Sequence, residues 1–216
     1  MFKIAIVGLF LILVSSCGMA KHQIVALENG NINIKDNRKI NVQCDTEGNL
    51  DGFRFNGSDQ YVNLDTLSLE TGDGLTLSLK IKTKSKEFQW VIGKYDWRTD
   101  AGYHLILIDG IASFNGRDKS GKYVRCEGRT FIADGKSHHL VSVWKGNKWA
   151  LWVDGKLENQ VETETLTPSI KNLQPLELGR SIIGHKGLHY YFEGTINQIK
   201  LYNKALSENQ IKRLLN

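Results

Sequence analysis

The chain is poor in the residues that break or staple a fold: only two prolines and three cysteines occur among 216 residues. No Pro-rich or Ser-rich stretch divides it and no internal repeat is visible, so one domain is the economical reading. Three cysteines cannot form a disulfide-dense scaffold, which leaves an apolar core to hold the fold. No uncharged apolar run reaches the ~18 residues that a membrane-crossing helix needs. Charge of one sign is scarce too. The formal balance is +5, and lysines and arginines are strewn among carboxylates instead of clustering, a pattern that argues against a nucleic-acid partner. G-x-S-x-G, H-E-x-x-H and glycine-rich phosphate loops are all missing, and with them the signatures of several hydrolase, zinc-protease and nucleotide-binding classes.

What is present begins with Met1-Phe2-Lys3, a short positive start, followed by an uncharged apolar run from Ile4 to Val14. That run is too short to span a bilayer and has the form of a signal-peptide h-region. It closes on Val14-Ser15-Ser16-Cys17, which resembles the bacterial lipobox, where cleavage falls before a cysteine that carries diacylglycerol. The resemblance implies a signal peptide over 1–16, an acylated Cys17, a lipidated tether over 17–23 and a domain over 24–216. An ordinary cleaved secretion signal and an uncleaved anchor are the alternatives. The expected location is the bacterial cell envelope, with the membrane engaged through the N-terminal lipid. Gly18, which stands where an aspartate would favour inner-membrane retention, points to the outer membrane. Export would place Cys44 and Cys126 in an oxidising compartment, where they form either a disulfide or two buried free thiols.

From Ile24 onward the periodicity is two. Leu75-Thr76-Leu77-Ser78-Leu79-Lys80-Ile81-Lys82 alternates without a fault, which predicts a strand with its apolar set on a core and its polar set in water. Tyr103–Ile108 and Ile111–Phe114 flank Asp109-Gly110, the turn chemistry of a tight hairpin. His139–Trp144 and Lys148–Val153 flank Lys145-Gly146-Asn147, and Asp154-Gly155 follows. In Thr195–Tyr202 the apolar spacing slips once, as a bulge makes it slip. Only the tail reads as helix, with a capping box at Ser207–Gln210 and an apolar stripe of Ile211, Leu214 and Leu215. The class is all-β, a sandwich or barrel.

Five fragments in order then resemble the laminin-G-like, concanavalin A-like lectin/glucanase family. They are Gly52–Gly57 with Tyr61–Leu64, Asp134–Val141, Leu151–Lys156, Leu178–Arg180, and Phe192–Ile196 with Leu201–Ser207. The resemblance implies a jelly roll of two antiparallel sheets, with ligand sites on the concave face or in the loops of one rim. It gives the first of His138 and His139 a packing role inside the sandwich. Adjacent strand residues face opposite ways, so the two histidines cannot share one ion from one side. Departures matter as well: Ser137 stands where relatives have Trp, and Asn56 and Asn197-Gln198 stand where carboxylates are usual. Several relatives bind Ca²⁺ through oxygen-rich loops; amides in place of carboxylates leave Asn56 and Asn197 as weak Ca²⁺ candidates.

Related glucanases place alternating carboxylates on one strand face. Glu162-Thr163-Glu164 is the only similar string and lacks the third acid, so a solvated edge is the expectation and no catalytic residue is assigned. Aromatic side chains beside polar ones are the informative residues for a binder, because sugar rings stack on them. Three segments qualify: Tyr95, Asp96, Trp97 and Arg98; Arg117 to Tyr123; and His185, His189 and Tyr190. Trp90, Trp144 and Trp152 lie in apolar strands and are expected in the core. The expected function is a lipid-anchored envelope module that recognises carbohydrate, with an envelope-protein scaffold and a glycan-cleaving enzyme as the alternatives.

Overall fold

The computed structural model describes residues 52–64, 74–99, 101–118, 120–164, 174–181 and 189–215. It also gives the backbone of four short strands nearer the N-terminus: Gln23–Glu28 (β1), Asn31–Ile34 (β2), Gln43–Cys44 (β3) and Gly48–Asn49 (β4). Residues 1–16, expected to be a signal peptide, and Cys17 lie outside the described residues. The chain continues through Gly52–Asn56 (β5), Val62–Asn63 (β6), Leu75–Lys82 (β7), Gln89–Asp96 (β8), Ala101–Ile108 (β9) and Ile111–Arg117 (β10). Then come Tyr123–Phe131 (β11), Ser137–Lys145 (β12), Lys148–Val153 (β13), Lys156–Glu162 (β14), Glu177–Leu178 (β15), Glu193–Tyr202 (β16) and the helix Glu208–Arg213 (α1).

These strands make two antiparallel sheets. One is seven-stranded, in the order β11-β10-β9-β8-β15-β6-β3. The other is nine-stranded, in the order β14-β13-β12-β7-β16-β1-β2, with β5 paired to β16 and β4 to β5. The expected two-sheet sandwich with a short C-terminal helix is therefore what forms. Between the sheets lie Leu77, Leu79 and Ile81 of β7, Leu105 and Leu107 of β9, Phe114 of β10 and Leu140 of β12, none more than 1% exposed. Period-two patterning places them there because one sheet face must leave water.

Local chemistry sets the connections. Asp109-Gly110 and Asp154-Gly155 have φ of 50° and 77°, and of 48° and 77°, the positive pair that a two-residue type I′ hairpin needs. The slip in β16 is real: the register to β7 shifts between Asn197 and Lys200, and Gln198 takes φ of 46°. At α1 the Gln210 Oε1 accepts the Ser207 backbone N–H at 2.9 Å, one arm of the capping box. Ile211 is buried and Leu214 partly so, but Leu215 is 37% exposed, which narrows the stripe.

Two expectations are corrected. The polar side of β7 does not face water throughout: Thr76 and Ser78 are buried, because the C-terminal segment and α1 lie over that half of the sheet. Thr76 Oγ1 donates to Lys204 O at 2.8 Å and accepts from Leu206 N–H at 3.0 Å. A Cys44–Cys126 disulfide does not fit either. Cys126 is a buried free thiol on β11, and Cys44 sits on β3 at the opposite edge of the same seven-stranded sheet. Six strand spacings of ~4.8 Å separate the two edges, far beyond the ~7 Å between Cα atoms that a bridge tolerates.

Candidate functional site

Strands β8 to β11 bury one face in the sandwich and carry a second cluster on the other. A register shift between Trp90 and Ile92 lets Val91 and Ile92 both enter the core while Trp90 and Gly93 both point outward. Cross-strand pairing then lays out three rows on the outer face. The first is Trp90, Ile106, Ser113 and Glu127; the second is Gly93, His104, Asn115 and Arg125. The third pairs Tyr95 with Gly102 and Arg117 with Tyr123. Gly93 is required by close approach: a Cβ there would lie 2.6 Å from Trp90 Cζ2 and 2.7 Å from His104 Cβ.

His104 is the hub. Its ring stacks on Trp90 at 4.6 Å between centroids and 26°, meets Tyr95 edge-on at 4.8 Å, and lies 6.1 Å from Trp97. Its Nε2 shares a hydrogen bond of 3.1 Å with Tyr123 Oη. Burial among these rings pushes the imidazole down to about 3, so it is neutral at pH 7. Burial, reinforced by Tyr95, pushes the Tyr123 phenol up to about 12. Among the described residues, Trp90 Nε1, Trp97 Nε1 and His104 Nδ1 are buried without a partner.

The three segments singled out in the sequence meet around this hub. Tyr95 is 1% exposed and its hydroxyl accepts from Arg117 Nε at 3.3 Å. Trp97 is half-buried, edge-on to Tyr95 at 5.0 Å. Asp96 is buried and accepts from Arg98 N at 2.9 Å, Arg98 Nε at 3.2 Å and Gln174 Nε2 at 3.0 Å. The Arg98 hydrogen bond holds its carboxyl below the usual range, so Asp96 shapes the turn while most of Arg98 stays exposed. Arg117 donates to Gly121 O at 2.7 Å and lies 5.5 Å over the Tyr123 ring, which is 38% exposed. Tyr190 packs on the Trp90–Tyr95–Ile106 cluster and 4.6 Å from the Phe88 ring. His189 bonds Ser181 O through Nδ1 at 2.8 Å. His185 lies outside the described residues.

Sequence reasoning missed Phe88, His104 and Asn115; Trp90 is buried as expected, but in this outer cluster. A glycine at 93 inside an apolar strand was the available signal. Trp144 and Trp152 are buried as expected, the latter beneath α1.

Other candidates have local duties. Asn56 Oδ1 accepts from Ser58 N at 3.0 Å and its Nδ2 donates to Asp59 at 2.7 Å, closing a turn. Asn197 sits opposite Lys80. Among the described residues no group of three or more His, Cys, Asp or Glu side chains could hold a metal. His138 is clamped between Asp154 at 2.8 Å and Asp134 at 3.1 Å, and His139 Nε2 bonds Ser78 Oγ at 2.8 Å on the opposite face. Glu162 pairs with Lys148 at 2.9 Å on the edge strand β14.

No curated protein sequence matches the chain. Among solved structures it is similar to one of botulinum neurotoxin type C, at 13% identity and a TM-score of 0.71, covering 94% of this chain and 52% of that one. The receptor binding domain of botulinum neurotoxin D matches at 17% identity and a TM-score of 0.67, covering 90% and 52%. The binding domain of a neurotoxin DC in complex with rat synaptotagmin II matches at 13% and 0.69, covering 92% and 52%. The chain thus spans about half the length of these structures, and the likeness is one of fold. The family of concanavalin A-like lectin/glucanases matches residues 56–212, most of the chain, and it is to this superfamily that the protein belongs.

Proposed function

We propose that the chain is a binding module, held by a lipid on Cys17 in a bacterial cell envelope, that recognises carbohydrate on the outer face of its seven-stranded sheet. One observation carries this: the Tyr95–Arg98 turn, the Arg117–Tyr123 hairpin and Tyr190 converge on one aromatic cluster although they are far apart in sequence. The floor is filled by Trp90, Tyr95 and Ile106, so a sugar would lie at the rim. There Trp97, Tyr123 and Tyr190 keep ring surface open beside Arg98, and rings stack on the C–H faces of sugars while polar neighbours take hydroxyls. Supporting this, one structure with the fold belongs to a toxin whose uptake by cells depends on two ganglioside molecules.

A glycan array is the test. The chain should bind a restricted glycan set, and Trp97→Ala should weaken that binding by about tenfold, the loss of one stacking contact. An unchanged Trp97→Ala profile removes this face as the site. The filled floor favours a second reading, an envelope-protein partner, for which the array would be blank and a pull-down from envelope extracts would recover a protein that Trp97→Ala loses. A Cys17→Ser chain should leave the membrane fraction; retention there would count against the anchor.

A further inference from the structure

On the other sheet, the nine-stranded one, the strand registers assemble a basic cleft. Arg54 of β5 pairs with Thr195 of β16, Thr195 with Lys82 of β7, and Lys82 with Ser137 of β12. Phe55, Ile81 and Ile196 point into the core, so this whole row points outward. Paired side chains sit ~5 Å apart, which brings the two cations within ~10 Å across Thr195. Lys84 joins them from beyond the end of β7, its stem lying over Gly135, where a Cβ would come within 2.8 Å of its Cε. Together with Glu193 they line a cavity of about 560 Å³. Among the described residues neither Lys82 nor Lys84 has an ionic partner. Lys80, one row further along the same face, extends the positive field.

We infer that this cleft is a second binding site and takes an acidic sugar unit, a uronate or sulfate ester within a polysaccharide. Lys82 and Lys84, with Arg54 beside them, concentrate anions at the opening. The single carboxylate, Glu193, would repel a bare polyanion but accepts hydrogen bonds from hydroxyls, which a sugar ring carries beside its acid group. The volume suits one or two rings, not a flat membrane surface.

The test uses the full chain in neutral detergent micelles, with polygalacturonate, dextran sulfate and uncharged dextran as probes in affinity electrophoresis. The chain should be retarded by at least one acidic polymer and not by dextran, and the retardation should fall as salt rises from about 50 to about 200 mM. Lys82→Glu with Lys84→Glu should weaken binding at least about tenfold, with circular dichroism unchanged; should the reversal impair folding, the Lys82→Gln, Lys84→Gln pair reads the same loss. Trp97→Ala should leave this binding intact, which separates failure here from failure of the aromatic face. The inference is overturned if neither acidic polymer binds, if the folded double variants bind as the parent does, or if Trp97→Ala abolishes the effect.

Discussion

Acidification should destabilise this protein, and His104 is one residue through which it does so. Buried between Trp90, Tyr95 and Trp97, its imidazole is pushed from the ordinary 6.5 down to about 3. Above pH 6.5 the ring is neutral in both folded and unfolded chains and costs nothing. Between 6.5 and about 3 the unfolded chain takes up a proton that the folded chain refuses, so each pH unit removes about 1.4 kcal/mol of stability. At pH 5 the loss is about 2 kcal/mol. His139, lowered to about 4 by burial and then by Lys80, adds a loss of the same sign. His138 opposes both: against a burial effect that lowers it, Asp154 and Asp134 raise it, so its contribution is present below pH 6.5 and fades as pH rises through its folded value. A difference therefore isolates His104. Urea unfolding at pH 8, 7, 6 and 5, followed by tryptophan fluorescence, should show the parent losing about 2 kcal/mol more than His104→Gln between the extremes. Equal pH slopes in the two proteins would refute the reasoning, as would a His104 ring-proton resonance that titrates near 6.5.

Gly93→Ala forces Trp90 and His104 apart and should cost about 1–3 kcal/mol, read as a drop of several degrees in the thermal midpoint; an unchanged midpoint would mean that the outer cluster yields freely. Cys126, its thiol pushed up to about 12 by burial, should resist maleimide at pH 8 in the native chain and react once urea unfolds it, as peptide mapping would show. Gln210→Ala removes one arm of the α1 capping box and should lower stability by about 1 kcal/mol in urea titration, without moving glycan or acidic-polymer binding.

Strands and hairpins were legible because period-two alternation and Asp-Gly turns are local signals that tertiary context reinforces: Leu75–Lys82 and both positive-φ turns formed as read. The outer cluster was not legible as a unit. Trp90, His104 and Arg117 lie on three different strands, and only the pairing register, with its shift beside Trp90, brings them to one face. The three loop segments were each visible as mixed aromatic and charged stretches, yet nothing local told that they converge. Thr76 misled for the same reason, since the segment that covers it is more than 120 residues away. For Cys44 and Cys126 a bridge and free thiols both stayed open in the sequence, because composition counts thiols without saying which sheet edges carry them.

A two-layer sandwich needs apolar side chains only between its sheets, so the buried outer cluster is surplus to that requirement. On the nine-stranded sheet the surplus apolar surface, Val141, Val143 and Trp152, is covered by the chain's own α1. On the seven-stranded sheet the rings of Trp90, Tyr95 and His104 cover one another and hold Trp97 and Tyr123 from beneath. A floor packed this tightly fixes the rim side chains before any ligand arrives, which reduces the ordering entropy that binding costs. Floor and rim should therefore separate by experiment. Trp90→Ala, which empties a fully buried indole site, should lower both stability, by about 3–5 kcal/mol, and glycan binding. Tyr123→Phe keeps the ring and loses only the hydroxyl bonded to His104; it should cost about 1 kcal/mol of stability while leaving stacking, and hence most of the binding, in place. If Trp90→Ala, assayed where it is still folded, bound glycan as tightly as the parent, the floor would not be organising the rim.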